Sequence, residues 1–376
     1  GAFQPLHAML TKTYDQSGLS WNSTGKAPRQ LYQGADHEAI QAAALTLESV
    51  LEGVERLSEP RVIVTLDDMR ETWRSYLLGG SGHDLDLDNP AVAAYVDGLN
   101  AEASDYWNTL VKSDVPGRSN LWSDLDMTPI NDYSQAAYAR SGNMATTFVR
   151  LRTLATAWGT VGTDFYQSVY VRDEVINALD HMTGRYFKEG VRGYGNWYHW
   201  EITAPTALMN ASIILYDELT PAQIEAYAKA SKYYAPYCNK GGPNSNGPAM
   251  TGGNLLLKAN GVAQAGILLG DETMLTNVKD GVKSVLVHNP YSKLYSADAD
   301  GFYADGSYIQ HQALPYIGGY GRDLYNNLGV FLVTLKHSDW EIAYEDGAEQ
   351  IAYDFIFDGV EPFIYETRTM DMVSSR

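Results

Sequence analysis

Apolar residues recur at helical spacing through most of this chain, and after residue 65 few stretches alternate as a β-strand would. The helical pattern begins at Leu66, and Met69 and Trp73 lie on its first apolar face. Thr220-Pro-Ala-Gln223 is a capping box with proline at the first helical position. About ten helices with loops of irregular length favour helical hairpins arranged in a ring or toroid. No fixed period supports a regular solenoid. The sequence therefore predicts an all-α fold.

Residues 1–65 differ from the rest of the chain in composition and in hydrophobic pattern. Residues 18–34 are polar and rich in turn-forming types, and one helix is indicated after them. We interpret 1–65 as an N-terminal extension or the tail of an upstream module, and 66–376 as the main domain. A length of 376 residues allows two or three domains.

Charge and composition exclude several classes of function. A formal net charge of −19 argues against nucleic-acid binding, which needs clustered Lys and Arg. No apolar run approaches the roughly 18 residues of a membrane span, so no membrane partner is expected. Cys238 is the single cysteine, which rules out an internal disulfide and a cysteine-based zinc cluster. The chain opens without the basic and apolar regions of a signal peptide, so any export signal is already gone or never existed. We expect a secreted protein.

Residues 300–322 combine five glycines with tyrosines and titratable groups. Glycines permit tight turns, and a helix with Leu324, Leu328, Phe331 and Leu335 on one face is expected to follow. A turned loop on a helical scaffold is a common way to build a catalytic site. His311 and Tyr320 are the candidates, although residue type alone favours structural roles for both.

Two further clusters carry chemistry. Four consecutive rings in Trp197-Tyr-His-Trp200 cannot all face a core, since adjacent helical residues point about 100° apart. They form either a platform for sugar rings or a core corner. Thr251-Gly-Gly-Asn254 opens a helix, whose N-terminus favours an anion such as a carboxylate. Residue type alone favours Thr251 or Asn254 as a simple cap.

Other known motifs are missing from the sequence. It holds no Gly-x-Ser-x-Gly, His-Glu-x-x-His or Walker loop. Asp298, Asp300 and Asp305 suggest a structural calcium ion, but Ile309 stands where an EF-hand loop needs an acid. No cofactor or metal site is therefore predicted.

Taken together, the motifs resemble polysaccharide lyase family 8, the hyaluronate, chondroitin AC and xanthan lyases. The matching segments, in the family's order, are Asn196-Trp-Tyr-His-Trp-Glu201, Thr251-Gly-Gly-Asn254, Asp305-Gly-Ser-Tyr-Ile-Gln-His311 with Tyr316-Ile-Gly-Gly-Tyr320-Gly, and Met370-Asp-Met-Val-Ser-Ser-Arg376. The resemblance implies an incomplete (α/α) toroid over 66–376. It also implies cleavage beside a uronic acid by β-elimination, which leaves an unsaturated uronate.

The resemblance also assigns roles to residues. Asn254 would hydrogen-bond the uronate carboxylate, and a deprotonated Tyr320 would take the C5 proton and then protonate the leaving oxygen. His311 would assist beside the substrate, and Arg376 would lower the pKa of Tyr320. The implied substrate-binding residues are Asn196, Trp197, Tyr198, Trp200 and Tyr316.

Departures from the family pattern qualify these roles. Tyr198 stands where many members have a second Trp, and Ser374-Ser375-Arg376 stands where Arg-Gly-Arg is usual. The family's β-sandwich domains are absent from this chain, and we expect them to pack against it. A further arginine and a glutamate used by the family would lie beyond residue 376. The chain is therefore expected to be a fragment with little activity alone.

Several functions stay open on this sequence. Gly252-Gly-Asn-Leu255 leans towards hyaluronate lyases, whereas Met370-Asp-Met-Val leans towards xanthan lyase. Hyaluronan or chondroitin is the leading substrate, and xanthan is the alternative. A rival enzyme is an (α/α) glycoside hydrolase with Glu201 and Asp305 as its paired carboxylates. A rival without catalysis is a carbohydrate-binding domain.

Overall fold

The computed structural model describes residues 64–80, 85–128, 134–342, 347–365 and 368–374. The predicted N-terminal segment 1–65 lies outside the described residues except for Val64 and Thr65, so its interpretation stays a prediction. Ten α-helices run through the described part: α1 (Leu66–Leu77), α2 (Pro90–Thr109), α3 (Gln135–Gly159), α4 (Val169–Arg185), α5 (Ala204–Ile214), α6 (Pro221–Tyr234), α7 (Gly252–Leu269), α8 (Glu272–Val285), α9 (Arg322–Thr334) and α10 (Ala348–Asp354).

Side-chain caps start several helices where the sequence predicts a start. The Thr65 hydroxyl accepts the Asp68 N–H at 3.1 Å, which caps α1. The predicted capping box of α6 is confirmed. Thr220 Oγ1 accepts the Gln223 N–H at 3.3 Å, and Gln223 Oε1 accepts the Thr220 N–H at 2.9 Å. Each cap satisfies backbone donors that would otherwise have no partner in the first turn.

Helices α3, α5, α7 and α9 pack side by side and run in the same direction. At their C-terminal ends, a Cβ built on Gly159 of α3 would lie 3.2 Å from Ile214 of α5. At the N-terminal ends, Ser141 of α3 lies within 3.0 Å of His199, which leads into α5. Helices α4, α6 and α8 provide the return connections. We call the end of the bundle formed by the N-terminal turns of α3, α5, α7 and α9 the rim.

Hydrophobic packing fixes these helices. Leu324, Leu328, Phe331 and Leu335 are all at most 1% exposed, so the predicted apolar face of α9 is confirmed. Trp73 of α1 packs edge-on against Phe331, with ring centroids 5.8 Å apart. None of the helices in the described ranges is long and apolar enough to cross a membrane.

Two small sheets interrupt the helical pattern. The first contains β1 (Gly301–Phe302), β2 (Tyr308–Gln310) and β3 (Leu314–Pro315), all antiparallel, and it precedes α9. The second pairs β4 (Ile364–Tyr365) with β5 (Arg368–Thr369). Strands of two or three residues are too short for period-two patterning, so the sequence did not predict them.

A buried ion pair lies beneath the rim. Glu201 and Lys258 have fully buried side chains, and Lys258 Nζ lies 2.6 Å from Glu201 Oε2. Glu201 also accepts the N–H groups of Gly242 and Gly247 and the hydroxyl of Ser245, each within 2.8 Å. Burial lowers the pKa of Lys258, and the Glu201 carboxylate opposes that shift. The pair ties the start of α5 to α7 and to the loop at 242–247.

Replacing Glu201 with alanine should destabilise the domain by about 3–5 kcal/mol, because Lys258 would be left as an unpaired buried cation. The matched control is Glu225→Ala, which removes the exposed ion pair between Glu225 and Lys229. That loss should cost at most about 0.5 kcal/mol. Urea unfolding of the two variants checks the difference, and equal midpoints would show that the buried pair contributes nothing to stability.

Candidate active site

The turn that carries Tyr320 is a π-helical segment, Ile317–Gly321, which runs directly into α9. The Gly321 N–H donates to the Tyr316 carbonyl at 2.9 Å and closes this wide turn. A second π-helical segment, His199–Thr203, leads into α5 in the same way. Such wide turns are rare and often lie at functional sites. Both predicted catalytic and aromatic motifs therefore lie at the rim.

Three rings of the predicted site contact one another. The rings of His311 and Tyr320 are 5.1 Å apart and nearly perpendicular, and those of Tyr316 and Tyr320 are 5.0 Å apart. His311 is exposed, whereas Tyr316 and Tyr320 are partly buried. His311 and Gln312 both have positive φ values, 55° and 73°. Two successive non-glycine residues in this region are strained, and such strain clusters at functional sites.

Tyr320 also packs against the head of α7. A Cβ built on Gly253 would lie 3.0 Å from Cδ1 of Tyr320, so the tyrosine ring lies on the backbone next to Asn254. The Asn254 side-chain oxygen is buried and has no hydrogen-bond partner in the described part of the chain. Thr251 makes no side-chain cap bond to α7. The alternative that Thr251 is a simple helix cap is therefore wrong.

Asp300 connects the turn that carries His311 with the head of α7. Its carboxylate accepts the Thr251 hydroxyl at 2.7 Å, the Gln310 side-chain N–H at 2.5 Å and the Gln312 N–H at 3.0 Å. Gln310 and Gln312 flank His311, and Thr251 precedes α7. One carboxylate therefore positions the histidine turn relative to the asparagine turn.

A second set of hydrogen bonds completes the head of α7. The Gly253 N–H donates to the Tyr308 hydroxyl at 2.9 Å and to Gln310 Oε1 at 3.2 Å. The Tyr308 hydroxyl itself donates to Gln310 Oε1 at 2.7 Å. Burial raises the pKa of Tyr308, so this phenol stays protonated and acts as a donor. These bonds hold strand β2 on the first turn of α7.

The aromatic segment divides between surface and core. Trp197 and Tyr198 are partly buried, with ring centroids 5.7 Å apart. Burial raises the pKa of Tyr198, and the nearby groups Tyr320 and Asp323 add to that shift. Tyr198 is therefore close to the candidate base. The side-chain oxygen of Asn196 accepts the Tyr198 N–H at 3.1 Å. Asn196, a predicted substrate contact, therefore stabilises the turn that it begins.

Trp200 is not part of a surface platform. Its side chain is 1% exposed, and its indole N–H donates to the Tyr194 carbonyl at 2.7 Å. It packs against Phe187 and Tyr234. The prediction that Trp200 contacts substrate is therefore wrong, because its ring fills the core below the rim.

Glu201 cannot act as a catalytic carboxylate, because its buried oxygens are held by Lys258 and the 242–247 loop. Asp305 is exposed and caps its own turn through Ser307. Hydrogen bonds to Ser307 lower the pKa of Asp305 and keep it ionised. The paired-carboxylate hydrolase alternative is therefore wrong.

The residues suggested for calcium serve other purposes. Asp300 is fully engaged by hydrogen bonds, and within the described ranges no group of three or more His, Cys, Asp or Glu residues is arranged to hold a metal ion. The presence of a structural calcium ion stays untested.

Arg376 lies outside the described residues, so its assigned effect on Tyr320 stays a prediction. The segment that leads to it does reach the site. A Cβ built on Gly318 would lie 2.6 Å from Oγ of Ser374. Residues 368–374 therefore pack on the turn that carries Tyr320.

Comparisons with known proteins agree with this geometry. The profile of the N-terminal α-helical domain of polysaccharide lyase family 8 matches residues 73–376. The chain is 31% identical over 361 residues to a hyaluronate lyase of Thermasporomyces composti. The aligned region covers 95% of this chain and 40% of the relative. It is 28% identical over 311 residues to a xanthan lyase of Bacillus sp. strain GL1, and the aligned region covers 82% of this chain and 30% of the relative.

Solved structures show the same fold. The xanthan lyase of Paenibacillus superposes with a TM-score of 0.70 at 32% identity, over 84% of this chain and 27% of that one. A chondroitin AC lyase of Streptomyces coelicolor A3, solved with chondroitin sulphate, gives a TM-score of 0.68 at 24% identity, over 82% of this chain and 38% of that one. The chain spans less than half the length of these relatives.

The fold and the rim define the helical toroid domain of a polysaccharide lyase. The chain belongs to polysaccharide lyase family 8, and residues 73–376 correspond to its N-terminal α-helical domain. The predicted family and the all-α toroid of helical hairpins are thus confirmed.

Sequence reasoning missed the residues that support the site. Asp300 was noticed only as a calcium candidate, and Ser141, Tyr308 and Gln310 were not given any role. Tyr308 and Gln310 are two residues apart and face the same side of β2, which a period-two pattern would have revealed in a longer strand. Ser141 bonds both the Asn196 N–H and His199, but nothing in the sequence marks it.

Asp300→Ala should lower the free energy of unfolding by about 1–3 kcal/mol, because three donors would lose their shared acceptor. The matched control is Asp298→Ala, which removes an exposed aspartate of the same loop and should change stability by at most about 0.5 kcal/mol. Urea unfolding measures both values. Equal effects would show that Asp300 does not hold the two turns together.

Gly252→Ala should also destabilise the site. Gly252 has φ +49°, and an added Cβ would lie 2.5 Å from Gln310 Oε1 and 2.6 Å from the Tyr308 hydroxyl. We expect a loss of about 1–3 kcal/mol from strain and displaced hydrogen bonds. The control is Gly329→Ala within α9, where nothing lies within 4 Å and alanine should be neutral or stabilising. Thermal unfolding measures both: the melting temperature should fall in Gly252→Ala and should stay the same or rise in Gly329→Ala.

Proposed function

We propose that this chain is the helical part of a lyase that cleaves an acidic polysaccharide beside a uronic acid by β-elimination. The observation that carries the proposal is the packing of Tyr320 between His311 and the backbone next to Asn254. A general base and an amide that share one wall of the rim can act on a single sugar ring. Neither a hydrolase nor a passive binding module needs that arrangement.

The chemistry follows from the weak acidity of the proton at C5. An ionised carboxylate on the same carbon disfavours the carbanion, so the reaction requires groups that stabilise the enolate-like state. The Asn254 amide nitrogen would donate to the carboxylate of the substrate.

Tyr320 would act twice. As the phenolate it removes the C5 proton, and the electrons of that C–H bond form the C4–C5 double bond as the C4–O bond breaks. The resulting phenol then protonates the leaving glycosidic oxygen. His311, exposed beside the tyrosine ring, would contact the substrate and assist this transfer. An ordinary tyrosine pKa is about 10, so a cation is needed nearby, and Arg376 is the proposed source.

Trp197, Tyr198 and Tyr316 would position the polymer through ring contacts with the flat faces of its sugars. Hyaluronan or chondroitin is the leading substrate, and the 31% identity to a hyaluronate lyase over 95% of the chain supports it. Xanthan is the second candidate, because a xanthan lyase structure matches at 32% identity. Both candidates contain uronic acid, as the mechanism requires.

The proposed protein is extracellular, where such polymers occur, and works with further domains of the same enzyme. The relatives are two to four times longer than this chain, since it covers 24% to 40% of those compared. The β-sandwich domains that the resemblance implies would pack against the helical part and complete the cleft.

Tyr320→Phe should lower the turnover of hyaluronan, chondroitin or xanthan by at least about 100-fold while binding is little changed, because only the ionisable oxygen is lost. The conjugated double bond of the product absorbs ultraviolet light, which gives the assay. Because residues 1–376 are expected to have little activity alone, the variants are made in a longer natural polypeptide that contains the chain, and oligosaccharide binding is measured alongside turnover. The control is Tyr325→Phe, one turn along α9.

Three results would contradict the proposal. Release of reducing ends without ultraviolet absorbance would indicate hydrolysis. Equal turnover by Tyr320→Phe and the wild type would exclude the tyrosine as base. Binding without turnover in any longer natural polypeptide that contains the chain would favour the carbohydrate-binding alternative.

Trp197→Ala and Trp200→Ala should separate binding from folding. The first removes a partly exposed ring and should weaken oligosaccharide binding about tenfold or more with little loss of stability. The second empties a core position and should cost about 3–5 kcal/mol of unfolding free energy. Calorimetric titration and thermal unfolding check the two effects, and the reverse pattern would contradict the division of the aromatic segment.

A further inference from the structure

A cavity lies away from the rim, between α1, α2, α3 and α5. It has a volume of about 500 Å³, and its wall includes Tyr95, Glu102, Arg152 and Asn210. Cavities that bind small molecules commonly measure about 300–1,000 Å³. Asn210 is eleven residues beyond His199 along the same helical segment, which corresponds to roughly 16 Å at 1.5 Å per residue. The cavity is therefore separate from the catalytic rim.

Arg152 is the unusual residue of this wall. Its guanidinium has no hydrogen-bond or ion-pair partner among the residues that the structure describes. Burial lowers the pKa of Arg152, and the longer-range electrostatic effect of Glu102, Tyr106 and Tyr95 opposes that shift. By contrast, Arg150 of the same helix binds both carboxylate oxygens of Asp124, at 2.9 and 2.6 Å. A desolvated guanidinium with free donors is a ready partner for a carboxylate or sulfate.

Asn210 adds a second polar side chain to this wall. Its side chain is 8% exposed, and its amide oxygen is buried without a hydrogen-bond partner among the described residues. Because that oxygen has no accessible surface, the amide nitrogen is the atom of Asn210 that can reach a ligand. The neighbouring Thr153, which is 5% exposed, adds a hydroxyl to the same wall. An amide and a hydroxyl beside a cation match the alternating donors and acceptors of a sugar.

The rest of the lining also fits a sugar. Tyr95 is 52% exposed and offers a ring face, while Leu77 and Leu99 provide apolar surface. Glu102 accepts the Tyr106 hydroxyl at 2.9 Å, and its exposed carboxylate can take further hydroxyl donors. Carboxylate, amide, guanidinium and aromatic groups together match the hydroxyls, acid group and C–H faces of a sugar acid.

We propose that this cavity is a second, non-catalytic binding site for an acidic sugar unit, with Arg152 binding the acid group and Asn210 a ring hydroxyl. The chemistry of the cavity alone supports this assignment, which does not depend on the reaction proposed for Tyr320. A polymer held at this site would stay attached to the protein between cleavage events at the rim, as a multivalent binder does.

Glucuronate and glucose are the probes, because they differ only at C6, where one has a carboxylate and the other a hydroxymethyl group. Titration of the full chain is followed by NMR through the side-chain Nε–H signal of Arg152. We expect glucuronate to shift this signal and to bind about tenfold or more tightly than glucose, as one charge-assisted hydrogen-bond pair would give. The Asn254→Ala and Tyr320→Phe variants should retain this binding, because they change only the rim.

Two variants test the roles of the side chains. Arg152→Gln should remove the preference for glucuronate over glucose, and Asn210→Leu should weaken both sugars. Arg152→Gln should leave the melting temperature of the free chain nearly unchanged, because the guanidinium has no hydrogen-bond partner to lose. Asn210→Leu should leave it unchanged or raise it, because a buried oxygen without a partner is removed. A loss of binding with retained or increased stability therefore cannot be ascribed to unfolding. Arg185→Gln, on the exposed side of α4, is the control and should bind as the wild type does.

Three results would overturn the proposal. The first is equal affinity for glucuronate and glucose in the wild type. The second is unchanged glucuronate binding in Arg152→Gln. The third is loss of all glucuronate binding in Asn254→Ala, which would place the only site at the rim. The turnover measured for Tyr320→Phe has no bearing on these three sugar-binding results, so the two proposals can fail separately.

Discussion

The hydrogen bonds of the Asp300 carboxylate hold together the parts of the candidate site. They connect Thr251, at the head of α7, with Gln310 and Gln312 on either side of His311. Together with the bonds from the Gly253 N–H to Tyr308 and Gln310, they join the asparagine and histidine turns directly. Proton transfer requires reacting atoms placed to within a fraction of an ångström, and a network of short hydrogen bonds gives that rigidity at low entropic cost.

The direction of the inner helices decides where such a link can form. Because α3, α5, α7 and α9 run the same way, their first turns meet at one end of the domain. Two of those helices begin with a π-helical turn, and both such turns carry predicted site residues. The wide turn at Ile317–Gly321 brings Tyr320 onto Gly253. Regular helices thus provide the framework, and the irregular turns place the side chains.

Helical periodicity made most of the fold predictable. The apolar face of α9 and the capping box of α6 involve neighbours three or four residues apart, so the sequence contains all of the information. The strands β1–β3 are different, because they depend on contacts with α7 and with Asp300 from other parts of the chain. Short strands held by tertiary contacts leave no local pattern.

The site was partly predictable for the same reason. The motif resemblance singled out Asn254, His311 and Tyr320, and the structure places the Tyr320 ring against His311 and against Gly253, the residue before Asn254. The resemblance could not separate Trp197 from Trp200, since the burial of Trp200 depends on its contacts with Phe187 and Tyr234 from other parts of the chain. Nor could it show that the loop 242–247 closes over Glu201, because that contact joins residues about 40 positions apart in sequence.

The division of labour between separate turns has an evolutionary consequence. Two of the three rings that would hold the polymer, Trp197 and Tyr198, precede α5, whereas the groups that would act in the reaction lie in the first turn of α7 and before α9. Mutations of the rings before α5 can therefore change which sugar chain is bound without changing the groups that would transfer the proton. Relatives named for xanthan, hyaluronan and chondroitin are the diversification that such a layout permits.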